Sequence, residues 1–129
     1  MMKFASHASH ESCVRLAQLA HARAVSAARH AGRSPLIDPT PAEIARAVGF
    51  DLVPVKGMGK MPIFDQSRIA FGAELTGYRR DQAILYGVAW GLFVRDGRHP
   101  DEEEILELAH LLALPSDDAA APLLRVVGA

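Results

Sequence analysis

The sequence predicts a mostly helical α+β single domain with a small three-stranded sheet. Three observations predict it. Apolar residues recur at helical spacing on both sides of a central stretch in which the period shortens toward two. A length of 129 residues is that of one domain with one real core. Half of the residues are apolar and 22% are charged, the balance of a globular chain rather than a disordered one.

The first helix is expected from about Glu11 to Ala31, where Val14, Ala17, Ala20 (or His21), Ala24, Val25 and Ala28 recur at helical spacing. Gly32 and then Pro35 end it, and residues 1–10 are expected to fray. In "PTPAEIARAVGF" Thr40 is an N-cap, Pro41 suits the first helical position, and Glu43 completes a capping box. Ile44, Ala47 and Val48 would face the core and Gly49 would close the helix. "FDLVPV" alternates around Pro54 and reads as an edge strand. "KGMGKMP" is a loop, expected to be mobile, and "IFD" and "RIAFG" are two short strands around a turn at Asp65, Gln66 and Ser67.

Helical character resumes after Gly77, from about Arg79 through Val94, and stops at "RDGRHP". Asp101, or the residue before Pro100, caps a last helix, "EEEILELAHLLAL", whose Glu102, Glu103 and Glu104 suit the positive end of the helix dipole. That helix ends at Pro115, so residues 1–115 form the domain. Residues 116–129 form a loosely held tail whose Leu123, Leu124, Val126 and Val127 could dock on a neighbour.

A net charge of −1 offers no global field for nucleic acid or membrane. The charge is unevenly placed: five cations face one acid in residues 1–35, whereas residues 101–118 are acidic without Lys or Arg. The two ends either solvate different faces or attract each other. Cys13 is the only cysteine, which excludes an internal disulfide and a thiolate zinc cluster. The longest apolar run, Ala83 to Val94, is too short to span a bilayer. "MMKFASHASHESC" lacks an apolar signal core, so a cytoplasmic location is expected.

The order helix, helix, small sheet, helix, helix over residues 11 to 115 resembles the ImmA/IrrE family of small bacterial and phage metallopeptidases. "TPAEIARAVGFDLVPV" is similar to the family's early helix and strand. "SRIAFGAELTGYRRDQAILYGVAWGLFV" is similar to its strand, link, arginine and long active-site helix, and "EEEILELAHLLALP" to its closing segment. The resemblance implies a zincin-like arrangement. The family's helix carries His-Glu-x-x-His, two imidazoles one turn apart for zinc and a glutamate that activates the bound water. Aligned through "LYGVAWGLF", Gly87 stands at the first histidine, Val88 at the glutamate and Gly91 at the second histidine. Glu104 is the nearest match to the family's third, acidic ligand, and a lone carboxylate cannot hold a catalytic zinc.

The expectation is therefore a pseudoenzyme with no cofactor and no metal, acting by protein–protein interaction. The resemblance implies a helix-turn-helix repressor as the partner, in stress response or mobile-element control. Two readings of Gly87 and Gly91 stay open: a simple packing role, or the floor of a partner-binding groove walled by Tyr86, Trp90 and Phe93, with "KGMGK" as a mobile rim. Trp90 could fill that cleft. The alternatives are a small metal-dependent hydrolase with a site rebuilt from His7, His10 and Glu104, or a structural homo-oligomer subunit assembled through the alanine-rich first helix.

The remaining candidates carry weaker signals. His7, His10 and Glu11 in "HASHE" have metal-pair spacing if the helix starts early, and His21 and His30 share a helix without an evident third ligand. His110 reads as a half-buried or rim histidine among leucines, and Cys13 has Arg15 nearby but no histidine base. One of Arg79 and Arg80 is expected to be structural, pairing with Asp81 or the acidic last helix, with phosphate binding as the other possibility. "KGMGK" lacks the P-loop spacing. "EIARAVGF" is similar to the first helix of a helix-turn-helix, but a proline-containing strand pattern follows where a recognition helix should.

Overall fold

The computed structural model describes residues 2–32 and 38–114, with side chains from His10 onward in the first helix. The order is α1 (Met2–His30), α2 (Pro41–Ala47), β1 (Asp51–Val55), β2 (Ile63–Asp65), β3 (Arg68–Gly72), α3 (Gly77–Arg95) and α4 (Glu102–Ala113). This is the expected α+β domain of four helices and a three-stranded sheet.

α1 is longer than expected, because residues 2–10, for which fraying was predicted, continue the helix. Its first glycine is Gly32, and it contains no proline. Its buried face runs through Cys13, Leu16, Ala17, Ala20, His21 and Ala24. α2 has the predicted capping box: the Glu43 N–H donates to Thr40 Oγ1 at 3.2 Å and the Thr40 N–H to Glu43 Oε1 at 2.8 Å. Gly49, past the Val48 C-cap, takes φ +88, a left-handed conformation that costs glycine nothing.

The sheet order is β1-β3-β2, with β1 parallel and β2 antiparallel to β3. β1 is an edge strand, as Pro54 predicts. The Asp51 N–H donates to the Ser67 carbonyl, so alternate residues 51, 53 and 55 point their backbone at β3 while Pro54 stands at an outward position where no donor is needed. The β2–β3 turn puts Gln66 at φ 49 and Ser67 at φ 68, a two-residue hairpin built without its usual glycine.

α3 is the centre of the molecule. One side packs on β3 and β2, others on α4 and α2, and α1 closes behind α4 and α2. α4 has a second capping box, with Asp101 Oδ1 accepting from the Glu104 N–H at 2.8 Å and Glu104 Oε1 from the Asp101 N–H at 3.1 Å. Of the two predicted caps, Asp101 is the one used. Among the described residues no helix is long and apolar enough to cross a membrane. The tail, residues 116–129, and the predicted stop at Pro115 lie outside the described residues.

Candidate functional site: a groove beside the central helix

Gly87 and Gly91 do not floor an open groove. A Cβ added at Gly87 would run into the Ile69 side chain, with Cγ1 at 3.1 Å and Cγ2 nearer. At Gly91 it would stand 2.7 Å from Phe50 Cζ and meet the Phe64 ring as well. The two phenyl rings pack edge to face over this point, with centroids 5.0 Å apart. Arg95 covers the other side of Phe50 at 4.4 Å from its centroid and donates a short hydrogen bond to the Val48 carbonyl. The cleft is filled by the sheet and by Phe50, not by Trp90. Val88 and Phe93 are fully buried in the same core, and Trp90 packs against it half-buried. An imidazole at 87 or 91 has no room in this packing.

A groove does exist, one face around the helix. It has a volume of about 720 Å³, within the usual size of a ligand pocket. Its floor and walls are Ile44, Leu75, Ala83, Leu85 and Tyr86 on one side and Leu106, Ala109, Leu112 and Leu114 of the last helix and its end on the other. Lys60, Met61 and Pro62 form a rim at the end of the glycine-rich loop. That loop does stand at the rim, but its backbone is anchored: the Gly57 N–H donates to both carboxylate oxygens of Glu74, at 3.0 and 3.2 Å. Of the five expected contact residues, Tyr86 alone lines the groove; Gly87, Trp90, Gly91 and Phe93 do not. Burial, and then the nearby Glu102 carboxylate, raise the Tyr86 phenol above its ordinary pKa, so its hydroxyl stays protonated at neutral pH.

The periodicity did not single out the rest of the groove. Met61 and Leu106 are 55% and 51% exposed, an apolar presentation at its mouth. His21 borders it and is buried, and its Nε2 donates to the Leu112 carbonyl at 3.1 Å. A carbonyl only accepts, so Nε2 carries the hydrogen, and in the neutral ring Nδ1 is an acceptor. Among the described residues that Nδ1 is buried with no hydrogen-bond partner, as is Gln18 Nε2 three residues earlier. An unmade buried hydrogen bond costs about 1–3 kcal/mol. The one sequence signal was His21's ambiguous place on the apolar face of α1.

The other candidates are scattered. His10 Nδ1 meets Glu107 Oε1 at 2.5 Å across α1 and α4. Arg15 pairs with Asp96 at 3.1 Å. Cys13 is fully buried with its Sγ directed at the Glu104 carbonyl, 3.8 Å away. Burial, then the Glu107 and Glu104 carboxylates, push its thiol up to about 12, which makes it inert as a nucleophile. Glu104 is engaged in its capping box, the side chain of His7 lies outside the described residues, and no group of three metal-ligating side chains forms among those described. His30 stays on its own helix, its ring against the Ser26 carbonyl.

His110 is exposed at the groove's rim. Arg79 and Arg80 diverge: Arg79 lines the groove, while Arg80 lies over the Phe71 ring at 5.6 Å beside a second, more open cavity of about 530 Å³. Neither makes the ion pair with Asp81 or α4 that the sequence suggested, among the described residues. After α2 and Gly49 the chain enters β1, so no recognition helix follows. Comparison with family models, curated proteins and solved structures returns no match.

Proposed function

We propose that this protein is a non-catalytic binding domain, a degenerate relative of the ImmA/IrrE peptidases with their zincin-like arrangement. It acts in the cytoplasm by holding an apolar segment of another protein. The observation that carries the reading is the groove between α3, α4 and residues 60–62: an apolar floor, exposed Met61 and Leu106 at its mouth, and Lys60, Arg79 and His110 on its rim. An apolar centre with a polar rim is the anatomy of a protein-recognition site. The non-catalytic half rests on Gly87 and Gly91, whose face is spent on packing Ile69, Phe50 and Phe64, and on Val88, which is fully buried. Following the family resemblance, the partner is a helix-turn-helix repressor in a bacterial or phage control circuit.

A photocrosslinking amino acid placed at Leu106 and, separately, at Val55 on the far sheet edge tests this in cells. A discrete heteromeric adduct from position 106 and none from 55 is the expected result. Equal labelling at both positions, or no adduct at either, sinks it. An adduct at twice the chain's own mass replaces it with a homo-oligomer.

A further inference from the structure

We propose that residues 56–62 form a preset strap along the groove, latched by Glu74, and that Glu74 thereby positions Met61 for binding although it lines no part of the groove itself. This rests on the reading of the groove as a binding site and adds what fixes its rim.

The strap joins β1 to β2, and its own sequence gives it little order. Gly57 and Gly59 take φ +74 and +86, and a Cβ added to either would meet nothing within 4 Å. These glycines serve the backbone conformation, not a close approach. Glycine also loses the most freedom when fixed, so a segment with two of them needs outside contacts to hold one shape. Two such contacts come from the end of β3 and the link beyond it. The Gly57 N–H donates to both Glu74 carboxylate oxygens, at 3.0 and 3.2 Å, a charge-assisted bond. Glu74 is held by its neighbours: the Ala73 N–H donates to the Val55 carbonyl at 3.0 Å and the Leu75 N–H to the Gly72 carbonyl at 3.1 Å. At Gly72 no positive φ calls for glycine, yet an added Cβ would stand 2.6 Å from the Gly59 carbonyl oxygen. The missing side chain there is the seat of the strap.

Past this seat the chain reaches Lys60, Met61 and Pro62, which line the groove, before β2 begins at Ile63. Pro62 is buried, while Met61 stays 55% exposed at the mouth. Next to the latch, Leu75 lines the groove as well. Glu74 therefore ties the rim to the link before α3, and Met61 is in place before a partner arrives. A side chain held in this way loses less freedom on binding than one on a free loop, which raises affinity without a new contact.

The test uses the full chain, with amide hydrogen exchange read at Gly57 and at the buried Val88, and relaxation read on the Met61 methyl. In Glu74→Ala the Gly57 amide should exchange at least about tenfold faster and the Met61 methyl should gain mobility, with Val88 as protected as before. Glu74→Gln, which keeps one accepting oxygen, should fall between parent and alanine. Gly72→Ala, which pushes on the Gly59 carbonyl from the other side, should loosen Met61 as well. Unchanged exchange at Gly57 in Glu74→Ala, an unmoved Met61, or a loss of protection that extends equally to Val88 overturns the proposal. The partner adduct from position 106 is measured in parallel, and its yield should fall several-fold in Glu74→Ala. An unchanged yield with Gly57 released ends the positioning role and leaves the groove reading intact. No adduct from the parent chain ends the groove reading, and the positioning role with it, even where Gly57 shows the latch.

Discussion

Two sides of α3 carry opposite lessons about missing and present side chains. On the sheet side, two glycines a turn apart suggest vacancy in the sequence, yet Ile69, Phe50 and Phe64 fill the space completely. On the groove side, Tyr78, Gln82 and Tyr86 are large residues, yet the described residues leave a groove of about 720 Å³ beside them. A small residue on a helix removes its own volume; whether a hole results depends on what the facing element projects. Here the facing sheet projects aromatic and branched side chains, and the close approach they need is what the glycines supply.

The comparison breaks most readily at Gly91. Gly91→Val drives a branched side chain into the Phe50 and Phe64 rings, and overpacking of this kind costs about 3 kcal/mol. Urea unfolding should show the fall in midpoint, and Phe64→Ala in the same background should recover part of it by making room. A neutral Gly91→Val would mean that this side of the helix is the open one.

Next in size is a pH effect from the interior behind α4. The Cys13 thiol is raised from 9.0 to about 12 in the folded chain, while the unfolded chain ionises near the lower value. Above pH 9 the unfolded state therefore binds fewer protons than the native one, and stability falls as pH rises toward 12. Thermal unfolding followed from pH 8 upward should show that decline, with a shallower slope in Cys13→Ser. Equal slopes would mean that this interior is wetter than the packing indicates.

Asp101→Ala removes one half of the α4 capping box and should lower stability by about 1 kcal/mol, read from the same urea titration. Because α4 forms one wall of the groove, the loss should also weaken partner crosslinking at position 106. Leu106→Glu is the mildest change. The side chain is 51% exposed, so stability should stay within about 0.5 kcal/mol of the parent while groove binding is lost. A large destabilisation instead would make Leu106 a core residue and erase the contrast between the two sides.

Much of the fold was legible in local signals. Thr40 with Glu43, Asp101 with Glu104, Pro54 on an edge and the turn at Gln66 and Ser67 all act within a few residues of themselves. The groove was legible at Tyr86 and at the loop that ends in Lys60. Met61, Leu106 and His21 lie on three separate segments, and nothing in their own neighbourhoods marks them as adjacent. The length of α1 was missed because a polar, alanine-rich start carries little periodicity to extend from.

The sequence by itself determined where the central helices and strands form, since caps, prolines and hydrophobic periods are short-range causes. It also determined that residues 87, 88 and 91 carry no imidazole or carboxylate. The tertiary structure alone decided that Phe50 and Phe64 would meet over Gly91, that His21 Nδ1 would be buried without a partner among the described residues, and that the groove would lie beside Tyr86 rather than above the glycines. Those outcomes depend on volumes brought together from distant parts of the chain, and close packing fixes them only when every contributor is in place.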